Sequence, residues 1–237
     1  MTDGRGKEPI IVERKGQKGR RGRLVAIDGP AGAGKSTVAR RVADRLGYLY
    51  IDTGGMYRAL TLKALRVGVD PGDGAAVARL ASSTRISVDS SGRILLDGED
   101  VTAAIRCPAV SAAVSRVAGW PAVRKILTRR MRELAGCGGA VLEGRDVGTC
   151  VVPHADCKVF LTASPEERAK RRWRELREAG YAVSLAEVYE NLVTRDRADS
   201  SRGLAPLTVA EDAVVIDTTD LDVEETVEAV LRLCTDR

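Results

Sequence analysis

The sequence predicts an α/β fold in which a doubly wound, five-stranded parallel sheet carries a long insertion with a small antiparallel sheet. Short apolar runs alternate with segments of helical periodicity, as in a parallel sheet covered by helices on both faces. A glycine-rich loop stands between the first run and the first helical segment, and one later segment alternates in polarity with period two. With 237 residues, 44% of them hydrophobic, the chain can bury such a core.

Five apolar or β-branched runs are predicted as the parallel strands. They are residues 24–28, 48–52, 140–144, 158–162 and 214–217. From residue 37 to 46 the apolar residues recur at helical spacing, and Gly47 follows as a C-terminal stop. Ser164, followed by Pro165, and Ser184 each stand three residues before a glutamate. Both patterns are capping boxes and predict two further helices.

The segment that alternates in polarity is predicted to be a β-hairpin inside an insertion. Residues 85–98 contain two alternating runs around the turn Ser90-Ser91-Gly92. Helical stretches near residues 55–67 and 109–135 flank the hairpin, between the second and third parallel strands. An insertion at the carboxyl ends of parallel strands can bind and cover a second substrate.

The glycine-rich loop, residues 29–36, reads GPAGAGKS and is called the phosphate-binding loop below. Its glycines let backbone N–H groups converge on a polyphosphate, Lys35 adds a point charge, and Ser36 can offer its hydroxyl to Mg²⁺. The strand before it and the helix after it argue against an ordinary turn. The predicted ATP-binding residues are Gly29, Pro30, Ala31, Gly32, Ala33, Gly34, Lys35, Ser36 and Thr37.

The net charge of +5 resides in the N-terminal tail. Residues 1–23 hold eight Lys or Arg and three Asp or Glu, and the other 214 residues hold 30 of each. The tail is predicted to be disordered and solvated. An RNA-binding arm is the alternative, but aromatic residues make up only 3% of the chain, so few stacking platforms exist and nucleic-acid binding is not expected.

Composition also bounds the location of the protein. No apolar run approaches the roughly 18 residues of a membrane span, and the N-terminus lacks a secretory pattern, so a cytoplasmic protein without membrane contact is expected. The five cysteines form no CxxC pair and have no histidine set nearby. We therefore expect reduced, mostly packed thiols, with neither zinc nor disulfide.

Four local arginine clusters suit phosphoryl transfer, which needs positive charge around in-line oxygens. They lie at 57–58, 143–146, 168–174 and 195–202. Arg58 and Arg145 are interpreted as phosphate contacts because guanidinium fits phosphate bidentately. The third cluster is expected to lie on an exposed helix and to pair mostly with nearby glutamates. His154, the sole histidine, is interpreted as structural or surface.

These motifs together resemble the bacterial cytidylate kinases, nucleoside monophosphate kinases of the P-loop class. The matching segments are GPAGAGKST, DTGGMYR from Asp52, EGRDVGT from Glu143 and DSSRGLAPL from Asp199. The match spans about residues 24–234 and leaves only the tail outside. The resemblance implies transfer of the ATP γ-phosphoryl group to CMP or dCMP with Mg²⁺, giving CDP or dCDP in pyrimidine nucleotide metabolism.

The resemblance also implies roles for individual residues. Ser115, Arg124 and Asp146 match positions that recognise the cytosine edge and are called the base-edge set below. Lys35, Arg145, Arg172 and Arg195 are the implied catalytic residues, and Arg145 would hold the acceptor phosphate. The residues that match CMP-binding positions are Thr53, Tyr57, Arg58, Ser115, Arg124, Arg145, Asp146, Arg195, Asp199 and Arg202.

A division of the chain follows from the same resemblance. Residues 24–236 form the kinase domain, with a core of 24–52 and 138–236 and an acceptor-binding insertion of about 53–137. A short lid of about 168–184 would close over ATP. The chain is expected to be a monomer.

Some positions depart from the family pattern. Thr53 replaces a serine of some relatives, while Ala198 and Ser200 stand where some relatives have arginine, which puts in question how many arginines surround the transferred phosphate. Ser36 stands where some members have glycine, so its coordination of Mg²⁺ is a hypothesis. The alternatives left open are another acceptor, such as UMP or a non-nucleotide alcohol, and a P-loop RNA-binding or regulatory module that uses the tail.

Overall fold

A computed structural model describes residues 22–136 and 138–235. The central sheet contains β1 (Leu24–Asp28), β2 (Leu49–Asp52), β6 (Ala140–Gly144), β7 (Cys157–Thr162) and β8 (Val214–Asp217). Its order is β2-β6-β1-β7-β8 and every pairing is parallel, which confirms the predicted sheet. The strand bounds agree with the sequence-based bounds except at the starts of β2 and β7, which differ by one residue.

Helix α1 (Lys35–Leu46) begins two residues earlier than its apolar periodicity predicts. Gly34 adopts a left-handed φ of 84° directly before the helix, so the last two residues of the phosphate-binding loop, Lys35 and Ser36, already belong to the first turn of α1. Gly47, with φ of 66°, closes the helix as expected. The loop therefore joins β1 to α1 without a spacer.

In its described residues, the insertion contains four α-helices, a short 3-10 helix at Ala104–Arg106 and a three-stranded antiparallel sheet. The α-helices are α2 (Thr53–Arg66), α3 (Gly74–Ser83), α4 (Pro108–Gly119) and α5 (Pro121–Ala135), and the strands are β3 (Ile86–Val88), β4 (Ile94–Leu96) and β5 (Glu99–Asp100). The predicted hairpin is confirmed as β3 and β4. Residues 109–135 form two helices rather than one, because Trp120 is extended before Pro121.

Two elements of the insertion escaped the sequence-based analysis. Helix α3 buries only Val77 and Ala81, and it starts where the Asp73 side chain accepts a hydrogen bond from the Ala76 N–H. Strand β5 consists of two exposed acidic residues that pair with β4. Strand β5 lacks the apolar alternation that marks a strand in sequence.

The C-terminal part contains α6 (Pro165–Glu178), α7 (Leu185–Ser200) and α8 (Val223–Thr235). The capping box at Ser184 is confirmed in both of its hydrogen bonds. The prediction at Ser164 is wrong in one half, because the Ser164 N–H donates to Oγ1 of Thr219 at 3.0 Å while Glu167 accepts from Arg171. The helix still begins there, since the Ser164 hydroxyl accepts from the Glu167 N–H.

Three apolar clusters pack together the elements of residues 22–136 and 138–235. The largest packs the insertion against one face of the sheet, and the second packs α1 and α8 against the other face, as in a doubly wound fold. The third is small and joins Ala31 of the phosphate-binding loop to α6 and α7. The loop is thus in contact with the helices that follow β7.

Within residues 22–136 and 138–235, no helix is long and apolar enough to cross a bilayer. Cys157 and Cys234 are buried, Cys107 and Cys150 are half-buried, and none of these four described cysteines is in a disulfide. Residues 1–21 of the predicted tail lie outside the described residues. Gly22 and Arg23 are described, and the Arg23 N–H donates to the Tyr48 hydroxyl at 3.2 Å.

Candidate active site

A cleft of about 180 Å³ opens at the carboxyl ends of the parallel strands and runs between the phosphate-binding loop, the insertion and α7. It brings together residues that are far apart in sequence. The predicted site residues that line it are Ala31, Gly32, Gly34, Lys35, Ser36, Thr37, Thr53, Tyr57, Arg58, Ser115, Arg124, Arg145, Asp146, Arg172, Arg195, Asp199 and Arg202. Gly29, Pro30 and Ala33 are set back behind the loop surface.

The phosphate-binding loop keeps its shape through close backbone contacts. Gly29 has φ of 145°, and a Cβ there would lie 1.9 Å from the carbonyl oxygen of Leu161. Gly32 has φ of 77°, and a Cβ there would lie 2.7 Å from the carbonyl oxygen of Arg168. The loop is pressed against β7 and α6 on one side and faces the cleft on the other. Because of these close contacts, only glycine fits at the two positions.

Lys35 is buried at the base of the cleft, where its Nζ donates to the carbonyl oxygen of Pro30 at 2.6 Å. Burial lowers the pKa of Lys35 to about 7, and the positive charges of Arg145 and Arg195 act in the same direction. Glu143 and Asp28 oppose that shift. A polyphosphate beside Nζ would favour the charged amine, so this lysine is suited to anion binding.

Glu143 is a site residue that the sequence-based analysis quoted in a motif but gave no role. Its Oε1 accepts hydrogen bonds from the Ser36 hydroxyl at 2.5 Å and from the Tyr50 hydroxyl at 2.9 Å. The register pairs Glu143 with Asp52, so both carboxylates stand at the ends of adjacent strands. An acidic residue at a strand end beside the loop strand was the signal that could have found it.

The Ser36 hydroxyl and the Glu143 carboxylate form an oxygen pair of the kind that Mg²⁺ prefers. In the described part of the chain, no group of three or more His, Cys, Asp or Glu side chains could hold a metal by itself. This arrangement fits Mg²⁺ that keeps waters and is bound by one or two protein oxygens together with substrate phosphates.

Asp28 is a second residue that the sequence-based analysis missed. Its carboxylate oxygens accept from the N–H groups of Val147 and Gly148 at 2.8 and 2.7 Å. Burial raises the pKa of Asp28 to about 6, and these two hydrogen bonds oppose the shift. Asp28 therefore fixes the turn at Val147–Val151, which follows Arg145 and Asp146 directly.

The base-edge set lies together at the insertion side of the cleft. The Arg124 guanidinium donates to the Asp146 carboxylate and to the carbonyl oxygen of Ala118, and it lies 5.6 Å from the centre of the Tyr57 ring. Burial raises the pKa of Asp146. Ser115 reaches the same part of the cleft from α4.

Asp199 is a buried carboxylate that is surrounded by arginines of the cleft. Its oxygens accept from Arg145 Nε at 3.0 Å and from Arg202 Nη2 at 2.7 Å, while Arg195 Nε lies 3.9 Å away. Burial, followed by the charge of Arg145, lowers the pKa of Arg195 to about 10. The opposite charge of Asp199 holds these cations close together.

Three further arginines complete the positive wall. Arg58 is buried and donates to the carbonyl oxygen of Ile105 and to the Ser111 hydroxyl, and burial together with neighbouring arginines lowers its pKa to about 9. Arg172 pairs with Glu175 at 2.8 Å. Arg106, which no sequence pattern distinguished, donates to Asp52 at 2.5 Å from the turn before α4.

The charge balance of the cleft favours anions. Its lining includes eight Lys or Arg side chains and five Asp or Glu side chains. These are Lys35, Arg58, Arg106, Arg124, Arg145, Arg172, Arg195 and Arg202 against Asp52, Glu143, Asp146, Glu175 and Asp199. Such a cleft can bind two phosphate-bearing molecules and compensate the charge between them.

His154 and Arg168 are two side chains outside the predicted site. His154 is exposed and is absent from the cleft lining, as expected for a surface residue. The expectation that the whole 168–174 cluster lies exposed is wrong for Arg168, which is buried. Arg168 donates to Asp196 at 2.5 Å and to the carbonyl oxygens of Ala31 and Ala163.

Comparison with known proteins agrees with this geometry. A family model described as cytidylate kinase matches residues 25–236. A cytidylate kinase of Symbiobacterium thermophilum is 53% identical over 220 residues, which cover 91% of this chain and 97% of the relative. One of Desulfitobacterium hafniense is 50% identical over 215 residues, which cover 90% and 93%. Among solved structures, a shikimate kinase from Acinetobacter baumannii is 16% identical over 91% of this chain and 94% of its own, with a TM-score of 0.45.

Proposed function

The chain belongs to the cytidylate kinase family, and from that membership we propose how its cleft serves the reaction. The protein is an ATP-dependent phosphotransferase that converts CMP or dCMP to CDP or dCDP. The observation that carries the proposal is that the phosphate-binding loop and the base-edge set line one cleft, in which the charge of Arg145 acts on both Lys35 and Asp146. Such a cleft suits a donor phosphate, a transferred phosphoryl group and an acceptor nucleotide.

The donor side is the phosphate-binding loop. Its backbone N–H groups and the α1 N-terminus would surround the ATP phosphates, and Lys35 would leave the Pro30 carbonyl to contact them. Gly29, Pro30 and Ala33 shape the loop from behind, while Ser36 and Thr37 face the cleft. The charge of Lys35, favoured by the bound phosphates, then stabilises the moving phosphoryl group.

The acceptor side is the insertion together with α7. Asp146 would accept from the cytosine N4 amino group, while Arg124 and Ser115 would donate to the N3 and O2 acceptors, so a wrong base leaves buried polar groups unpaired. Thr53, Tyr57, Arg58 and Arg202 would surround the monophosphate and the sugar. Asp199 would accept from the sugar hydroxyls while it keeps its arginine partners.

Between the two nucleotides, catalysis is positioning and charge compensation. Arg145, Arg172 and Arg195 line the same cleft as Lys35 and would stabilise charge on the equatorial oxygens. The insertion, about 53–137, and the lid, about 168–184, would close over the substrates and exclude water. Water exclusion prevents transfer to water and strengthens each charge interaction.

Mg²⁺ is the proposed cofactor, and Ser36 with Glu143 would hold it beside the donor phosphates. When bound, the ion neutralises phosphate charge and orients the γ-phosphoryl group. Tyr50 donates to the same Glu143 oxygen and keeps that carboxylate in place.

We also keep three predictions about the setting of the protein. A cytoplasmic location is expected. A monomer is expected, and light scattering of the full chain tests it. Nucleic-acid binding through the tail is not expected, and removal of residues 1–21 should leave turnover unchanged.

An ADP-release assay with ATP and Mg²⁺ tests the proposal directly. CMP, dCMP, UMP, AMP and GMP are compared as acceptors at equal concentration with the full chain. We expect turnover with CMP and dCMP that exceeds the turnover with the other three. Equal rates with UMP would contradict the assigned base-edge set, and no turnover with any acceptor would contradict the kinase assignment.

A further inference from the structure

Helices α6 and α7 form a hairpin that packs on the phosphate-binding loop through its own small apolar cluster. Ala31 of the loop, Ala169 of α6 and Val188 and Leu192 of α7 are buried together there. This cluster is separate from the two that cover the sheet. The hairpin is therefore joined to the donor side of the cleft by local contacts at the loop.

Arg168 provides the polar part of that junction. Its side chain is only 7% exposed, and it donates to the carbonyl oxygen of Ala31 at 3.1 Å and to that of Ala163 at 3.0 Å. The same guanidinium donates to the Asp196 carboxylate at 2.5 Å. One side chain thus contacts the phosphate-binding loop, the end of β7 and α7.

Backbone contacts make the loop and α6 stiff at this point. A Cβ on Gly32 would lie 2.7 Å from the carbonyl oxygen of Arg168 and 3.0 Å from its Cβ. Because the loop touches the first turn of α6 with no intervening side chain, a shift of the loop has to move Arg168.

Asp196 connects this junction to the acceptor side. It is the neighbour of Arg195 on α7 and lies three residues before Asp199, and both of those residues line the cleft. Its Oδ2 accepts from Arg168, whereas its buried Oδ1 has no hydrogen-bond partner within the described residues. A displacement of Arg168 therefore changes the position of the α7 segment that carries the acceptor-side groups.

We propose that the Arg168–Asp196 ion pair couples occupancy of the phosphate-binding loop to binding of the acceptor nucleotide. Donor phosphates fix the loop, the loop fixes Arg168, and Arg168 fixes α7 with Arg195 and Asp199 in their binding arrangement. Arg168 and Asp196 are positioning residues, since neither of them lines the cleft. The coupling is reciprocal, since each nucleotide has to tighten the other by the same factor. This inference rests on the proposed donor and acceptor sides of the cleft.

The test measures the dissociation constant of CMP by calorimetry, alone and with saturating β,γ-imido-ATP and Mg²⁺. In the wild-type protein we expect CMP to bind about fivefold or more tightly when the imido analogue is present. Asp196→Asn preserves the shape of the side chain and leaves Arg168 its two carbonyl contacts, but it removes the charge pair. We expect its affinity for each nucleotide alone to stay close to the wild-type value, while the coupling factor falls towards one.

Two matched variants sharpen the comparison. Arg168→Lys keeps the charge but lacks the planar fork that reaches Ala31, Ala163 and Asp196 at once, so its coupling should also be lost. Glu190→Gln makes the same kind of change as Asp196→Asn at an exposed position of α7 and should keep the wild-type factor. Arg168→Lys also answers the question if Asp196→Asn does not fold.

The outcomes separate this inference from the proposed function. A purely structural role would lower thermal stability in Asp196→Asn and leave the coupling factor at the wild-type value, which would overturn the proposal. A wild-type factor of one would overturn it as well. Failure of the wild-type protein to bind CMP at all would instead contradict the proposed acceptor site.

Discussion

The lowered pKa of Lys35 makes the charge of the phosphate-binding loop depend on pH near neutrality. Burial lowers that pKa from 10.5 to about 7 in the free protein. Between these two values the unfolded chain binds more protons than the folded chain, so the contribution of Lys35 to stability becomes more favourable as the pH rises through this window. A bound polyphosphate reverses the local balance, because its negative charge favours the protonated amine.

We expect ATP binding with Mg²⁺ at pH 8 to be accompanied by uptake of about one proton per site. Calorimetry in buffers of different ionisation enthalpy measures this uptake directly. Lys35→Met should abolish it, whereas Lys63→Met, which changes a lysine paired with Asp97 on the insertion, should keep it. No proton uptake in the wild-type protein would contradict the assigned contact between Lys35 and phosphate.

At the scale of single residues, the site residues that belong to a sequence motif could be predicted. Those that reach the site only through the topology of the fold could not. Lys35, Arg145 and Asp199 stood in recognisable segments, and all three line the cleft. Asp28 and Arg106 did not stand out, because their roles depend on contacts over 119 and 54 positions of sequence, to Val147 and Asp52 respectively. Separations of that size are set by the packing of the whole sheet and insertion.

At the scale of elements, the turn at Val147–Val151 depends on the β1 strand end. Asp28 accepts from two buried backbone N–H groups of that turn. Arg145 and Asp146 directly precede this turn and line the cleft. The turn therefore holds their side chains at the acceptor side. One carboxylate on β1 therefore organises the end of β6.

We expect Asp28→Ala to lower the free energy of unfolding by about 2–4 kcal/mol, because two buried N–H groups lose their acceptor. Urea denaturation measures the change. Asp73→Ala, which removes the exposed cap of α3, should cost only about 1 kcal/mol and serves as the control. A smaller loss in Asp28→Ala than in Asp73→Ala would show that the turn does not depend on Asp28.

The strength of periodicity decided which elements could be predicted. The parallel strands are short apolar runs and α1 has a clear apolar periodicity, so their bounds came within two residues. Helix α3 is short and partly buried, whereas strand β5 is short and exposed, and their formation depends on the packing of α5 and on the β4 edge respectively. The break between α4 and α5 was marked in sequence only by Pro121.

At the scale of the whole molecule, the strand order explains why the site exists. Placing β6 between β2 and β1 brings the strand ends at Asp52, Glu143 and Asp28 side by side. The insertion then approaches from one side and the α6–α7 hairpin from the other, and both contribute to one cleft. The cleft lining is richer in basic than in acidic side chains, although the chain beyond residue 23 has equal numbers of the two.

In the proposed complex, Asp146 recognises the cytosine base while the phosphate-binding loop binds ATP. The most direct measurement is the ratio of kcat/KM for CMP to that for UMP, in the wild-type protein and in Asp146→Asn. We expect the ratio to fall by at least about tenfold in Asp146→Asn, because the amide replaces a pure acceptor that the N4 amino group requires. Asp44→Asn, at an exposed position of α1, should keep the wild-type ratio. An unchanged ratio in Asp146→Asn would contradict the account.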